Sequence, residues 1–372
     1  MNMLPSFRPE TAVRERYAAA AHAPEAALCC PVEYDSRWLK NLPEEVIAKD
    51  YGCGDPSQYL RAGETVLDLG SGTGKICFIA AQVVGPTGRV IGVDMTHKML
   101  EVARRNAPLV AERVGYANVE FRKGRIQDLA LDLELLDREL AAHPITGGEA
   151  FLAAEARAAA LRVQQPLVAN AAVDVVVSNC VLNLVDGGEK NRLFHEIFRV
   201  LRPGGRAVIS DIIADHPVPE SLRQDAELWS GCISGALTAD GFLDGFLAAG
   251  FHGVEIVKRD AAPWRTVAGI DFRAVTVVAY KAPVVSGGAG PGEVVYLGPF
   301  REVVDDAGRR FPRGRKVPVD AAALATFGRP PYEGVFAMLP SGNEPAPVVA
   351  KRRDFRVTSN PGGCCSGGND CD

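Results

Sequence analysis

The fold is decided by residues 64–74, which read ETVLDLGSGTG. The first half is an apolar run typical of a strand that is buried on both faces, and it leads directly into a glycine-rich turn. Such a turn lets the backbone approach a ligand closely, and the helix that follows adds partial positive charge at its N-terminus. The stretch therefore predicts a strand, turn and helix of an α/β sheet, with a ligand site at the carboxyl end of the strand.

The spacing of the glycines narrows the class of ligand. A dinucleotide site has the pattern G-x-G-x-x-G, or an alanine at its last position. Here Gly70 and Gly72 are followed by Gly74 and then by Lys75, which stands where the third small residue would be. This spacing disfavours a nicotinamide dinucleotide. Together with the preceding Asp68, it is the pattern of an acidic residue and G-x-G-x-G that is typical of methyltransferases.

Outside this stretch, apolar strand-like runs alternate with helical stretches along the chain. This alternation predicts a parallel, doubly wound sheet. Two later runs, at 254–259 and 272–281, are predicted to form a closing antiparallel hairpin. The five strands of the alternating part are predicted at 64–70, 89–94, 118–124, 173–179 and 205–212.

Further contacts to the ligand are predicted after the second and third strands. Asp94 ends the second strand, 20 residues after Gly74, where a carboxylate can accept hydrogen bonds from both hydroxyls of a ribose. The alternative is that Asp94 only caps the next helix. The edge of the adenine would lie after the third strand. It would meet either the side chains of Gln127 and Asp128 or the backbone near Arg125 and Ile126. The alternative is that this segment is a plain surface turn.

These features, from about Thr65 to Lys281, resemble the class I S-adenosylmethionine methyltransferases, and they include the late signature LRPGGRAVISD at 201–211. The resemblance implies a Rossmann-like sheet of seven strands whose last strand is antiparallel. It also implies S-adenosylmethionine as the methyl donor. The cofactor-binding residues that it implies are Asp68, Gly70, Ser71, Gly72, Gly74, Asp94, Met95, Ile126 and Asn179.

Four parts of the chain follow from this organisation. Residues 1–63 form an N-terminal helical segment with cysteine motifs, and residues 64–214 form the core that binds the methyl donor. Residues 129–171 interrupt this core with an Ala-, Leu- and Glu-rich stretch that we interpret as an inserted helical pair. Residues 215–283 contain a further cysteine motif and the closing hairpin. Residues 284–372 are a C-terminal extension with Gly and Pro clusters, one short β segment and a flexible Cys-rich tail.

The nine cysteines carry the information about the acceptor. Their number is odd and their spacing irregular, which argues against a disulfide framework and favours reduced thiols that bind a soft ion or carry out redox chemistry. Cys180 follows the fourth strand, at the edge of the sheet where ligands bind. The alternative is that such residues are small buried hydrophobes, and we apply it to Cys77. The four cysteine motifs are CCPVEYD (29–35), YGCGDP (51–56), SNCVLNLV (178–185) and LWSGCISGAL (228–237).

Together these motifs resemble the arsenite methyltransferase family, over about residues 10–280, and the insertion and tail are similar to those of a bacterial subgroup. The resemblance implies that Cys53, Cys180 and Cys232 bind As(III), and that Cys29 or Cys30 takes part in a redox cycle. It implies arsenite and methylarsenite as acceptors, a reductant of the thioredoxin or glutathione type, and a role in arsenic detoxification or biotransformation. Family members often have Tyr-Tyr-Gly near the N-terminus, whereas here Ala follows Tyr17; that tyrosine could still contact the sulfonium by a cation–π interaction.

The chemistry of arsenic agrees with this set of residues. As(III) is soft and thiophilic, so thiolates suit it better than carboxylates do. Its lone pair is the nucleophile, so a general base is not required and the protein acts mainly by orientation. Two other hypotheses remain: a methyltransferase acting on a carbon, nitrogen or oxygen acceptor such as a quinone, and a thiol-based arsenic sensor without turnover. The intact glycine motif and Asp94 argue against the sensor.

Composition excludes several other classes of function. The net charge of −5 leaves no basic excess to hold nucleic acid or an anionic membrane. No apolar run approaches the roughly 20 residues that span a bilayer. The first residues, MNMLPSFRPE, lack the basic and apolar regions of a signal peptide, so we expect a cytoplasmic protein with reduced thiols.

Overall fold

The structure is a computed structural model that describes residues 8–23, 25, 32–49, 51–285 and 290–340. It divides into two compact units, one within residues 1–284 and one within residues 285–372. Cys29 and Cys30 lie outside the described residues, as do the cysteines of the C-terminal tail. No helix in the part of the chain that the structure describes is both long and apolar enough to cross a bilayer.

The first unit is built on one mixed sheet, and seven of its described strands form a continuous path. Two short strands extend it at the sides: β6 (Leu237–Thr238) pairs with β5 (Leu201–Ala214), and β8 (Arg265–Val267) pairs with β9 (Ile270–Tyr280). In spatial order the seven strands are β3 (Val119–Lys123), β2 (Arg89–Asp94), β1 (Thr65–Leu69), β4 (Val173–Asn179), β5 (Leu201–Ala214), β9 (Ile270–Tyr280) and β7 (His252–Arg259).

The directions of these strands confirm the predicted fold class. Strands β1 to β5 pair in parallel, and β9 is antiparallel to both β5 and β7. The chain runs from β1 outward to β3 and then returns to the other side of β1 with β4. This reversal creates a crevice at the carboxyl ends of β1 and β4, which is the usual ligand position in doubly wound sheets.

Helices cover both faces of the sheet, which is why its central strands are mainly apolar. Leu67 and Leu69 of β1 lie in one buried cluster with Phe194 and Phe246, and Val66 lies in a second cluster. Burial on two sides favours apolar residues in such strands. The helices of the alternating part are α4 (Lys75–Val84), α5 (His97–Val114), α8 (Lys190–Val200) and α11 (Ala239–Ala248).

Other helices lie before and between these elements. Residues 129–171 contain the two helices α6 (Leu133–Ala142) and α7 (Gly148–Gln164). The Asp132 carboxylate caps α6 by accepting hydrogen bonds from the backbone N–H groups of Glu134 and Leu135. The remaining helices of the unit are α1 (Pro9–Ala20), α2 (Ser36–Leu39), α3 (Glu44–Ala48), α9 (Glu220–Arg223) and α10 (Ala226–Ser230).

The second unit has more structure than the single β segment predicted for this region. Its core is aromatic, with Tyr296, Phe311, Phe327 and Phe336 buried together. Because Gly and Pro residues lie between the short strands, the sequence pattern of these strands is typical of loops. The elements are the sheet of β13 (Lys316–Val319), β10 (Gly292–Tyr296) and β14 (Phe336–Pro340), the pair β11 (Glu302–Val304) and β12 (Arg310–Pro312), and α12 (Ala321–Phe327).

Candidate active site

A cavity lies at the carboxyl ends of β1 and β4, where the topology places the ligand crevice. Most of the residues predicted to bind the methyl donor line it. The exception is Gly74, which caps α4 with a φ of 92° and stands where a Cβ would lie 2.7 Å from the Phe121 ring. The predicted residues that line the cavity are Asp68, Gly70, Ser71, Gly72, Asp94, Met95, Ile126 and Asn179.

The glycine loop is shaped for close approach. Gly70 and Gly72 have φ values of 68° and 51°, which favour glycine. A Cβ on Gly70 would lie 2.4 Å from Val181, so this glycine lets the residue after Cys180 pack against the loop. The hydroxyl oxygen of Ser71 is buried and has no hydrogen-bond partner among the described residues. A buried polar atom of this kind fits a site that a polar ligand completes.

Asp94 connects the glycine loop to the start of α5. One carboxylate oxygen accepts a hydrogen bond from the Gly72 N–H at 2.9 Å, and the other accepts from the Thr96 N–H at 2.7 Å. Burial raises the pKa of Asp94, and the hydrogen bonds from Thr96 and Gly72 act in the opposite direction. Each oxygen has a second lone pair, so the local role near α5 and a role toward a ribose are compatible.

The positions of the residues after β3 distinguish between the predicted contacts to the edge of the adenine. Ile126 and Gln127 line the cavity. Asp128 is not among the lining residues; its buried carboxylate pairs with Arg162 at 2.9 Å and with Arg192 at 2.9 Å. Asp128 therefore anchors α7 and α8 near this turn.

Three of the predicted arsenic ligands share one hydrophobic cluster. Cys53, Cys180 and Cys232 are all buried in it, together with Trp229. Cys77 lies in a different cluster, where its thiol donates to Asp68 at 3.1 Å and where burial, reinforced by Asp68, raises its pKa. The interpretation of Cys77 as a buried structural residue fits this position.

Within the cluster, the thiols of Cys180 and Cys232 converge with the carboxylate of Asp211. The ligand atoms of these three residues lie within 4.8 Å of one another, and the Cys232 thiol donates to the Cys180 carbonyl at 3.1 Å. The sulfur of Cys53 is not part of this group. The structure thus brings two of the three predicted ligands together, with the third in the same buried cluster.

Both converging cysteines have unusual backbone conformations. Cys180 has a φ of 63° and Cys232 a φ of 62°, a region that residues with a side chain rarely adopt. Such conformations cost about 1–3 kcal/mol each and persist where the surroundings hold them. The Cys180 N–H donates to the Ser210 carbonyl at 2.8 Å, which fixes the turn at the end of β4.

Asp211 and Lys190 are buried charged residues of this site that the sequence interpretation did not identify as functional. The Asp211 carboxylate accepts hydrogen bonds from the backbone N–H of Leu182 at 2.8 Å, and Lys190 donates to the Leu182 carbonyl at 2.8 Å. Burial raises the pKa of Asp211 to about 6 and lowers the pKa of Lys190 to about 8. One feature of the sequence could have identified Asp211: it is an acid at the end of LRPGGRAVISD, next to the apolar residues of a predicted strand.

Tyr17 lies between the cavity and the cysteines. It lines the cavity and packs against the cysteine cluster, and its ring contacts Tyr51 edge-on at 6.0 Å between centroids. Burial raises the pKa of Tyr17, with the thiols of Cys232 and Cys180 acting in the same direction. Its hydroxyl therefore stays protonated next to these thiols.

Comparison with protein families places this geometry in context. Residues 60–143 and 150–273 match a model described as a methyltransferase domain. Residues 290–361 match a model described as a domain of unknown function. The first match contains the cavity-lining residues from Asp68 to Asp186, as well as Cys180 and Cys232.

Individual relatives carry a more specific name. The arsenite methyltransferase of Aquipseudomonas alcaligenes is 39% identical over 57% of this chain, which spans about half (52%) of that relative's length. The mouse arsenite methyltransferase is 30% identical over 86% of this chain and 78% of its own length. Among solved structures, an arsenic(III) S-adenosylmethionine methyltransferase from Chlamydomonas reinhardtii matches with a TM-score of 0.56 and 26% identity, over 87% of this chain and 99% of that one.

Proposed function

Since the chain belongs to the arsenite methyltransferase family, we propose that it transfers the methyl group of S-adenosylmethionine to trivalent arsenic held by cysteine thiolates. The observation that carries the proposal is the position of Cys180. This residue lines the cavity at the sheet edge and also belongs to the buried group with Cys232 and Asp211. One thiol therefore faces both the methyl donor and the second arsenic ligand.

The cavity has the donors and acceptors that S-adenosylmethionine would need. Asp94 would accept hydrogen bonds from the ribose hydroxyls, and Ile126 and Gln127 would lie along the adenine. The unpartnered Ser71 hydroxyl would meet a polar group of the methionine part. When bound, the cofactor supplies an electrophilic methyl group on a sulfonium, and the ring of Tyr17 would lie near that charge.

Arsenic binding would use the buried cysteine cluster. Arsenous acid would exchange its three hydroxyl groups for the sulfurs of three cysteine thiols. Each thiol proton leaves with one hydroxyl group as water, so three waters form and no proton is gained or lost overall. Cys180 and Cys232 are already close together, and Cys53 would supply the third thiolate by a local shift within the same cluster. The apolar neighbours would keep water away from the As–S bonds, and the lone pair of arsenic would remain as the nucleophile.

Methyl transfer to the lone pair leaves arsenic formally as As(V). A further cysteine thiolate would then bond to one arsenic-bound sulfur; that As–S bond breaks and its electron pair returns arsenic to As(III). The resulting disulfide would be reduced by an external thiol reductant of the thioredoxin or glutathione type. We assign the additional thiol of this cycle to Cys29 or Cys30, which lie outside the described residues. Arsenite and methylarsenite would be successive acceptors.

A direct assay tests the proposal. The full-length chain is incubated with arsenite, S-adenosylmethionine and a thiol reductant, and the products are separated by chromatography with arsenic detection. We expect methylated arsenicals that depend on all three components. If no methylated arsenical forms while S-adenosylmethionine binds normally, the acceptor is not arsenic, and the hypothesis of a carbon, nitrogen or oxygen acceptor takes precedence.

A further inference from the structure

Two asparagines flank Cys180 in the motif SNCVLNLV, one directly before it and one three residues after it. The carboxamide of Asn179 contacts the segment of Cys53. Its oxygen accepts hydrogen bonds from the N–H groups of Cys53 at 2.9 Å and Gly54 at 3.0 Å, and its nitrogen donates to the Gly54 carbonyl at 2.6 Å. The same nitrogen also donates to the Tyr34 hydroxyl at 3.2 Å.

These four bonds use the whole capacity of the Asn179 carboxamide. The group has two acceptor lone pairs and two N–H donors, and the structure gives each of them a protein partner. A hydrogen bond to the methyl donor would have to replace one of them. Asn179 is therefore committed to the Cys53 segment, although the residue lines the cavity and the sequence predicted it to bind the cofactor.

Asn183 makes the corresponding contact to the segment of Cys232. Its buried carboxamide nitrogen donates to the Ile212 carbonyl at 2.6 Å and, at the longer distance of 3.4 Å, to the carbonyl of Cys232 itself. Its backbone N–H donates to the carboxylate of Asp211 at 3.3 Å. Asn183 thus links the loop after Cys180, the end of β5 and the second converging cysteine.

A glycine faces each asparagine across the contact. A Cβ on Gly52 would lie 2.1 Å from the carboxamide nitrogen of Asn179, and a Cβ on Gly235 would lie 1.9 Å from the backbone carbonyl oxygen of Asn183. Neither distance leaves room for a side chain. The Cys53 and Cys232 segments are therefore fitted directly against the two asparagines.

We propose that Asn179 and Asn183 are paired positioning residues, which hold the segments of Cys53 and Cys232 against Cys180 and so set the spacing of the three arsenic ligands. The proposal rests on the proposed function, since it concerns the ligands of that acceptor. Each asparagine acts through one cysteine: Asn179 through Cys53, and Asn183 through Cys232. Neither contacts the arsenic in this assignment.

This assignment predicts a pattern of double variants. In the reduced full-length chain, calorimetry with arsenite should show that Asn179→Ala and Asn183→Ala each weaken binding by about tenfold, the loss of buried hydrogen bonds and of ligand alignment. Asn179→Ala should have no further effect in a Cys53→Ser chain but its full effect in a Cys232→Ser chain. Asn183→Ala should show the reverse. Effects that are the same in both serine backgrounds, or absent in the native background, overturn the proposal.

Two further measurements separate positioning from other roles. X-ray absorption on the arsenite complex should show three sulfur neighbours in the native chain and two in either asparagine variant, whereas three in both variants contradict the proposal. Titration with S-adenosylmethionine should give affinities within about twofold of the native chain, as for independent sites. A loss of about tenfold in Asn179→Ala would instead assign Asn179 to the cofactor and overturn its role here.

A second route covers the case in which the alanine variants do not fold. Gly52→Ala places a methyl group against the Asn179 carboxamide, and Gly235→Ala places one against the backbone carbonyl of Asn183. Asn179→Asp and Asn183→Asp keep the size of each side chain but remove its donor. Each of the four variants should weaken arsenite binding only while its own cysteine is present, which is Cys53 for positions 52 and 179 and Cys232 for positions 183 and 235. A variant that folds but does not show this dependence contradicts the proposal. If the Cys53→Ser, Cys180→Ser and Cys232→Ser chains bind arsenite as the native chain does, the proposed function itself fails. If they lose binding while the asparagine and glycine variants keep it, only the positioning proposal fails.

Discussion

The cofactor cavity and the cysteine cluster lie next to each other but are built in different ways. One side of the cavity is formed by the turn between β1 and α4 and by Asp94 at the end of β2, which are neighbouring elements of the chain, and Tyr17 and Asn179 line its other parts. The cysteine cluster draws on residues far apart in sequence: Asn179 and Cys53, which it hydrogen-bonds, are separated by 126 positions. Local turn geometry determines the first region, and long-range side-chain contacts determine the second.

This difference predicts how the two regions respond to change. The cavity depends on glycine conformations and backbone N–H groups, which few side-chain substitutions alter. The cluster depends on buried carboxamide and carboxylate groups, each of which can be removed by one substitution. Cys180 belongs to both regions, whereas Asp94 belongs only to the cavity.

The largest effect is expected from removal of the Cys180 thiol, which the cavity and the cysteine cluster share. We expect Cys180→Ser to lower methylation of both arsenite and methylarsenite by at least about 100-fold, because the arsenic loses alignment with the methyl group. The affinity for S-adenosylmethionine should stay within about twofold. Product analysis and calorimetry measure the two quantities. Cys77→Ser, at a buried thiol in a different cluster, is the matched control and should keep its activity; an active Cys180→Ser chain would contradict the assignment of Cys180 as a ligand.

A substitution at Asp94 should affect the cofactor cavity without affecting the cysteine cluster. If Asp94 binds the ribose as proposed, Asp94→Ala removes a pair of charge-assisted hydrogen bonds and should weaken S-adenosylmethionine binding by about 2–4 kcal/mol. Arsenite binding should not change, because Asp94 lies outside the cysteine cluster. Asp132→Ala is a matched control, since Asp132 is also an acid at a helix start but does not line the cavity. Unchanged cofactor affinity in Asp94→Ala would exclude Asp94 from the binding site.

The same difference explains which features could be predicted from the sequence. Residues 64–74 and Asp94 are recognisable because strand, turn and helix follow each other directly, and their positions in the structure agree with that pattern. Gly74, which the sequence also predicts to bind the donor, does not line the cavity and instead caps α4 beside Phe121. Short spacing identifies a loop and its strand, but it does not determine which atoms face the ligand.

The cysteine region was predictable as a set of motifs but not as a geometry. The position of Asp211 in β5 indicates a buried acid but not its role, because its partners Leu182 and Lys190 come from another part of the chain. The roles of Asn179 and Asn183 depend on glycines at positions 52 and 235, and only the folded chain brings these residues together. Residues 284–372 were predicted as a separate extension, but most of the secondary structure of the second unit was not predicted, since its aromatic core is assembled from short strands.

A milder test asks whether both regions are complete without the second unit. The residues that line the cavity and form the cysteine cluster all lie within the first unit. A chain ending after residue 284 should therefore fold and retain methylation activity within about twofold, as expected for independent parts. Circular dichroism and the arsenite assay measure the outcome. A truncated chain that folds but does not methylate arsenite would show that the C-terminal region contributes to catalysis.

The smallest expected effect concerns a contact that joins the elements leading into the two regions. Glu45 lies on α3, which precedes the Cys53 segment. Its carboxylate pairs at 2.5 Å with Arg105 of α5, the helix that follows Asp94, and at 2.9 Å with Lys49. The hydrogen bonds from Arg105 and Lys49 lower the pKa of Glu45 from 4.5 to about 2.

Because this carboxylate has a lower pKa in the folded chain than in the unfolded one, its contribution to stability is complete above pH 4.5 and disappears as the pH falls toward 2. The side chain is one third exposed (33%), so we expect solvent screening to leave only about 1 kcal/mol. Urea unfolding of Glu45→Gln should show this loss at neutral pH, and the difference from the native chain should shrink in acid. Glu44→Gln, at an exposed neighbour on the same helix, is the control. If Glu45→Gln also weakens arsenite or S-adenosylmethionine binding, α3 and α5 transmit changes between the two regions, and the cavity and the cysteine cluster are not independent.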